Sequence, residues 1–466
     1  MTQAQTPWKR AGVMGLGLSG VAAAGFLARR GTRVTAWDDT PADRLSPEAK
    51  ALAGIGVQMS AGPARTAFDG CEAVIASPGV PGTAPALAAA RSAGIPILAE
   101  VELASRYLRG VLIGITGSNG KSTVTALTGE ILKTAGIPTR ICGNIGTPLT
   151  QVVEADESLP DAQARGVHYV AELSSFQLEG IETLRPHIAV LLNLSPDHQD
   201  RYESTEDYYA AKSRIFMNQR GDDIAVVNWD DAASRPHAER LAARLFPFSL
   251  AQDLEEGAVL HAGKIMVRRG GKDDVVMPAS RVPLKGRHNL ENALAAASVA
   301  VHCGASLEAV AAGIEAFRGL PHRLEFVREV GGVSYYNDSK ATNVGATLRA
   351  LEAFDVPVVL LLGGYDKGGD FESLREPLRG KLRALVTFGK AGGDIAARLD
   401  GAAPKILETS SLADAIRTAA ATARSGDVVL LAPGCASFDA YTGFEKRGED
   451  FKAQVGRPAT QAGGLA

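Results

Sequence analysis

Cysteine is scarce: the 466 residues hold four, at Cys71, Cys142, Cys303 and Cys435. They lie far apart with no C-x-x-C pair, which excludes a zinc knuckle or a disulfide framework and leaves buried reduced thiols as the expectation. Neither sign of charge is in excess, since 49 Lys+Arg against 52 Asp+Glu leave a net charge of −3. There is accordingly no basic field for nucleic acid and no acidic tail. Long apolar runs are missing as well. The start, Met1-Thr-Gln-Ala-Gln-Thr-Pro-Trp8, lacks the apolar segment of a signal peptide, and no stretch approaches the roughly 20 apolar residues needed to span a bilayer. A cytoplasmic chain without membrane insertion is expected. What remains is 45% hydrophobic and 22% charged residues, a globular composition, in a chain long enough for two to four cores.

The stretch Gly114-Ile-Thr-Gly-Ser-Asn-Gly-Lys-Ser-Thr123 follows the apolar run Val111-Leu-Ile113 and leads into an amphipathic segment through Lys133. It reads as a strand, a Gly-rich turn and a helix N-terminus. Free backbone N–H groups at such a start, an ammonium at Lys121 and a hydroxyl at Ser122 make a cradle for a triphosphate. The strict phosphate-loop pattern has glycine five residues before Gly120; this chain has Ile115 there, with Gly114 and Gly117 on either side, so the match is to a shortened variant.

Nearer the front, Ala11–Met14 reads as a strand, followed by Gly15-Leu-Gly17-Leu18-Ser19-Gly20 and an Ala-rich helix ended by Gly31. A second strand, Arg33–Trp37, runs into Asp38. This G-x-G-x-x-G with an acidic residue beyond it is the dinucleotide fingerprint, and alone it predicts an NAD-dependent oxidoreductase; a plain tight turn is the simpler alternative. Ala73-Val-Ile-Ala-Ser77-Pro-Gly79 ends another strand on a turn, and a further βα unit reaches Ile97.

In the middle, Asn144 stands between Gly143 and Gly146, where a backbone can approach a ligand or simply turn. Glu172 ends a short strand. Ile188–Leu194 forms an apolar strand running into Asp197 and His198. A hard Mg²⁺ favours Glu172, with a neutral imidazole at His198 the less usual partner. Lys212 reads, by composition, as a solvated surface lysine on a helix over 208–217. Gly-punctuated runs from about Val259 predict hairpins at a sheet edge. Asn289 and Asn292, one turn apart at a helix start, suit a base or phosphate together, although simple N-capping is the expected role of Asn289.

After the break at Arg318-Gly-Leu-Pro-His-Arg323 the strands resume. Three loops rich in polar groups, Asn337–Asn343, Gly363–Asp370 and Pro433–Phe444, each follow an apolar strand. Alternating strands and helices predict a doubly wound sheet whose loops share one rim.

Six segments now act together: Gly114–Ser122, Glu172-Leu-Ser-Ser-Phe-Gln-Leu-Glu179, Asn193-Leu-Ser-Pro-Asp-His-Gln-Asp-Arg201, His288-Asn-Leu-Glu-Asn292, Gly319-Leu-Pro-His-Arg323 and Asn337-Asp-Ser-Lys-Ala-Thr-Asn343. In this order they resemble the motifs of the Mur ligase family, and Asp338-Ser-Lys-Ala-Thr342 is similar to the branch of the family that adds glutamate. The resemblance implies an α/β protein of three domains: a Rossmann-like domain over 1–102 for the UDP-substrate, a central mononucleotide-binding domain over 103–319 for ATP, and a Rossmann-like domain over 320–466 for glutamate and ATP. It implies a monomeric ligase that uses ATP and Mg²⁺ to join D-glutamate to UDP-N-acetylmuramoyl-L-alanine.

By the same resemblance ATP would be held by Gly117, Ser118, Asn119, Gly120, Lys121, Ser122, Thr123, Asn289, Asn292, Arg323 and Asp338, with Lys340 nearby in a catalytic role. Ser122 and Glu172 would take one Mg²⁺, and His198 with Lys212, as a lysine carbamate, a second. Leu18, Ser19, Gly20, Asp38, Ser77, Gly79 and Asn144 would hold the UDP-substrate. Thr342, Lys367, Ser437 and Phe444 would hold the glutamate. The oxidoreductase leaves Lys121 and Ser122 without a role. A non-catalytic nucleotide-binding regulator is the third reading, and it predicts ATP binding without acyl-phosphate formation.

Overall fold

The computed structural model describes residues 6–61, 68–197, 201–239, 241–284 and 286–456. Its strands form three sheets. The first is all parallel, with β1 (Arg10–Met14), β2 (Arg33–Asp38), β3 (Gln58–Ala61), β4 (Ala73–Ala76) and β5 (Ile97–Ala99) in the order β3-β2-β1-β4-β5. The strand order reverses between β1 and β4, so the Gly15 turn and Ser77 lie at the carboxyl ends where such sheets bind ligands.

The second sheet contains β6 (Val111–Thr116), β7 (Thr139–Gly143), β8 (His168–Glu172), β9 (Ile188–Leu191), β10 (Ile224–Asn228), β11 (Arg244–Ser249), β12 (Gly257–His261), β13 (Lys264–Arg269) and β14 (Lys272–Pro278). Their order is β14-β13-β12-β11-β10-β9-β6-β8-β7. β6 is flanked by two parallel neighbours, β8 and β9, which is why its sequence is apolar almost throughout. The last three strands pair antiparallel as hairpins, as the glycine punctuation predicts. β9 is shorter than expected, because Leu192–Ser195 leaves the sheet to bond the Gly-rich loop.

These two sheets belong to one compact unit, which runs to Val282 and includes Glu291–Phe317. One apolar cluster extends from Ala11, Phe26 and Leu27 through Val101 and Leu103 to Leu149, Tyr169 and Leu178, joining both sheets. Arg30 sits in the joint, its guanidinium 3.4 Å from the Phe26 ring centroid and 3.2 Å from Glu154. Glu157 is a second partner. Glu154 keeps its contact with Arg29 at 2.6 Å when Arg30 is removed, so what is lost is the Glu157 pair and the packing on Phe26. Arg30→Met is therefore expected to destabilise this unit by about 1–2 kcal/mol, read as a lower urea midpoint at unchanged slope.

The second unit takes Pro283–Leu290 and the chain from Arg318 onward. Its sheet holds β15 (Glu325–Val330), β16 (Val333–Asn337), β17 (Val358–Gly363), β18 (Leu382–Phe388), β19 (Ile406–Glu408) and β20 (Val428–Leu431), in the order β15-β16-β20-β17-β18-β19. Only β15 is antiparallel. Helices Val344–Glu352 and Gly392–Arg398 cover one face, and helices Leu412–Thr422 and Phe444–Gly456 the other, giving the doubly wound layer expected.

Two sequence expectations need correcting. All four thiols are free, but only Cys142 and Cys435 are buried; Cys71 and Cys303 lie in a loop and past a helix end and are partly exposed. The helix containing Asn289 begins at Arg287, so Asn289 is its third residue and not its N-cap.

Candidate active site

The Gly-rich loop is built by backbone geometry that its glycines permit. Gly120 caps the Lys121–Thr134 helix at φ 88°, and a Cβ there would meet Asn292 Oδ1 at 2.7 Å, so a side chain is barred by both torsion and space. The loop is stitched to the segment after β9. Ser118 N–H donates to Asn193 O (2.8 Å), Asn119 N–H to Asn193 Oδ1 (2.9 Å), and Asn193 Nδ2 back to Asn119 O (3.1 Å). Ser195 N–H donates to Ser118 Oγ at 2.9 Å. The Lys121 ammonium rests on the carbonyls of Gly117 (2.8 Å) and Ser118 (3.1 Å). Ser122 and Thr123 are buried at the helix start.

β8 delivers Glu172 to the same end of the sheet. It is 2% exposed. Its Oε1 accepts from Asn144 Nδ2 (2.8 Å), and its backbone carbonyl accepts from Asn144 N–H (2.8 Å), so two residues singled out separately in the sequence are brought together. Its Oε2 is buried without a hydrogen-bond partner among the described residues.

Lys212 corrects the surface reading, since it is 2% exposed. Its ammonium lies 4.5 Å from the Tyr208 ring centroid. Burial pushes its pKa well below the usual lysine value, and the neighbouring Lys121 charge adds to this, against the pull of Asp197 and Glu172. Composition could not reveal this, because burial depends on how the Thr205–Ser213 helix packs. His198 lies outside the described residues. Among those described, no group of three His, Cys, Asp or Glu side chains clusters as a metal site.

In the front turn, Gly20 is required by close approach: a Cβ would lie 1.7 Å from Gly15 O. Ser77 Oγ donates to that same carbonyl at 2.8 Å. Asp38 accepts from Leu16 N–H (2.5 Å) and Thr40 N–H (2.8 Å). Burial raises its pKa, but these bonds outweigh burial and hold it below the usual carboxylate value. Leu18 projects outward, 79% exposed, Ser19 is half-buried beside it, and Gly79 is exposed in the turn after Ser77.

The second unit carries the remaining candidates. Arg323 stands between His322 (φ 63°) and Leu324 (φ 42°), two non-glycine residues held in the left-handed region at a cost of about 1–3 kcal/mol each. Lys340 N–H donates to His322 O (3.1 Å), tying this strained turn to the loop after β16. Asn289, also of this unit, is 7% exposed. Lys340 Nζ lies 5.5 Å from the Phe444 ring centroid, and Thr342 N–H donates to Lys340 O (2.8 Å). Ser437 is buried and Lys367 exposed. Gly434 N–H donates to Ala341 O (2.8 Å) and Tyr365 N–H to Ala436 O (2.9 Å), so the loops after β16, β17 and β20 do share one rim.

Asp338 is buried, which pushes its carboxyl up to about 6 against the pull of Arg323 and Lys340. The folded protein then holds this proton more tightly than the unfolded chain, so the contribution to stability falls as pH rises through about 6 and the cost is complete above it. Asp338→Asn should raise the stability of the second unit by about 2 kcal/mol at pH 8, with the gain fading below pH ~5, as measured by urea unfolding across pH.

Three α/β sheets, with a phosphate-loop turn leaving the interior of the middle one, define a multidomain α/β protein of the nucleotide-binding class. Comparison with known proteins agrees. Residues 9–99 match the Mur ligase MurD-like N-terminal domain, 115–300 the Mur ligase middle domain, and 322–435 the Mur ligase glutamate ligase domain. A UDP-N-acetylmuramoylalanine--D-glutamate ligase of Acidobacterium capsulatum is 46% identical over 450 residues, covering 96% of each chain. One of Solibacter usitatus is 46% identical over 446 residues, covering 96% of this chain and 97% of its own. The crystal structure of MurF ligase from Thermotoga maritima in complex with ADP has a TM-score of 0.59 at 18% identity, covering 91% of this chain and 95% of that one, a likeness of fold.

The chain belongs to the Mur ligase family, and it is an ATP-dependent ligase. That membership overturns the NAD-dependent oxidoreductase suggested by Gly15, Gly17, Gly20 and Asp38. Gly15, at φ 83°, and Gly20, against Gly15 O, serve the turn itself, and the Asp38 carboxylate is engaged by the backbone of that turn. Among the described residues no helix is long and apolar enough to cross a membrane.

Proposed function

We propose that this chain joins D-glutamate to UDP-N-acetylmuramoyl-L-alanine, converting ATP to ADP and phosphate. An alanyl carboxylate is a poor acyl donor. In this reading its oxygen attacks the γ-phosphorus and ADP departs, leaving an acyl phosphate. The glutamate amine then attacks the acyl carbon, loses a proton, and the tetrahedral intermediate collapses to the amide with release of phosphate. Lys121 would sit against the β- and γ-phosphates and spread the charge of the transferring group. Gly117, Ser118, Asn119, Gly120 and Thr123 would complete the cradle, and Asn292 would face the nucleotide. In the second unit Asn289, Arg323 and Asp338 would serve ATP, with Lys340 beside them.

The residues present fit Mg²⁺. A hard cation takes oxygen ligands, and the Glu172 carboxylate offers a buried Oε2 without a hydrogen-bond partner among the described residues, with Ser122 buried at the helix start. His198 and Lys212, the latter as a carbamate, would hold a second ion. When bound, the ions would offset the repulsion between the two anionic reactants. Leu18, Ser19, Gly20, Asp38, Ser77, Gly79 and Asn144 would hold the UDP-substrate, and Thr342, Lys367, Ser437 and Phe444 the glutamate. The protein is proposed to act as a cytoplasmic monomer on small molecules.

The observation that carries this reading is the convergence of a buried, half-satisfied Glu172 and a buried Lys212 with the Lys121 loop. The test is phosphate release with UDP-N-acetylmuramoyl-L-alanine and either glutamate enantiomer. Release that depends on the D form is expected; release indifferent to glutamate would refute it.

A further inference from the structure

Arg447, on the Phe444–Gly456 helix, takes no part in the reaction as described, yet it is 1% exposed. A guanidinium at that depth is costly unless its donors are met. Its Nε donates to Ser339 Oγ (3.0 Å), its Nη1 to Ala436 O (3.1 Å), and its Nη2 to Ser339 O (2.8 Å) and Cys435 O (3.1 Å). Ser339 Oγ passes the chain on to Phe444 O at 2.8 Å. The loop after β17 closes in from the third side: a Cβ at Gly364 would lie 3.1 Å from Arg447 Nη1 and 2.4 Å from Ala436 O.

One side chain therefore stands where the segments after β16, β17 and β20 meet. Thr342, Ser437 and Phe444 each lie within three residues of Arg447 or of a group it bonds, and Lys367 lies three residues beyond Gly364 in the loop after β17. Its four acceptors are neutral oxygens, and among the described residues no carboxylate comes within ion-pair distance. Burial lowers its pKa to about 10, which leaves it cationic at neutral pH. Beyond it a cleft of about 250 Å³, lined in part by Ser411, Asp439 and Tyr441, means that truncation would leave water rather than packed atoms against the loops.

We propose that Arg447 is a positioning residue for the incoming amino acid, fixing the loops after β16 and β20, and through Ala436 the loop after β17, around one buried positive charge so that they receive a dicarboxylate that Arg447 itself does not touch. This rests on the reading that Thr342, Lys367, Ser437 and Phe444 bind the glutamate. Lysine is a poor substitute, since a single ammonium cannot span acceptors on two separate segments as the planar fork does.

The test is steady-state phosphate release by full-length Arg447→Met and Arg447→Lys, varying D-glutamate and UDP-N-acetylmuramoyl-L-alanine separately. The KM for D-glutamate is expected to rise about tenfold or more in Arg447→Met and less in Arg447→Lys, with kcat within about threefold and the other KM unchanged, because misplacing a binding loop by an ångström weakens what it holds. An equal loss for both substrates, or a fall in kcat with the glutamate KM intact, would overturn the proposal. Should Arg447→Met fail to fold, Arg447→Lys decides by the same ratio. Wild-type protein that releases phosphate without regard to glutamate would instead remove the underlying reading.

Discussion

Lys121→Ala lowers kcat by about 10²–10³, with a smaller change in the KM for ATP, because the ammonium is required most where charge moves. The ammonium is held by the carbonyls of Gly117 and Ser118, so the side chain is set over its own loop. That preorganisation is part of its effect: little rearrangement is needed when the γ-phosphoryl group begins to transfer. The rest of the loop does not depend on Lys121, since Ser118 and Asn119 are tied to Asn193 and Ser195. The variant should therefore fold normally. Steady-state phosphate release with circular dichroism as a control checks this, and turnover near wild type would contradict the role given to Lys121.

Lys212→Ala is the second large effect, a loss of about 100-fold, of the size seen when a group supporting a metal site is removed. The argument begins with burial. A lysine whose charged form is disfavoured by desolvation and by Lys121 spends more time as the neutral amine, which is the form that can add carbon dioxide to give a carbamate and release a proton. A carbamate is an oxygen ligand in place of a cation. Short carboxylates such as formate or acetate should then restore part of the activity of Lys212→Ala by supplying the missing oxygens. An absence of rescue would leave Lys212 a packing residue beside Tyr208.

How much of this was legible in the chain depended on whether the signal was local. The phosphate loop could be read because strand, glycines, lysine and helix occupy consecutive residues, and the structure places Gly120 at the helix cap as that reading requires. Strands such as β17 were legible because burial on both faces demands an unbroken apolar run. Lys212 gave no such sign, since neighbours from elsewhere in the fold bury it. Asn289 was open to misreading because a helix boundary two residues earlier changes a cap into an interior position. Arg447 was missed for a related reason. In sequence it is one charged residue among Glu445, Lys446 and Glu449, and only the meeting of Ser339, Cys435 and Ala436 distinguishes it from them.

The central claim is that the terminal phosphoryl group of ATP is transferred to the carboxylate that becomes the amide. UDP-N-acetylmuramoyl-L-alanine labelled with ¹⁸O in both alanyl carboxylate oxygens tests this in one turnover with ATP and D-glutamate. The account predicts one ¹⁸O in each phosphate released, since the bridging oxygen of the acyl phosphate leaves with phosphorus. Phosphate carrying no label would show that ATP is split without activating that carboxylate.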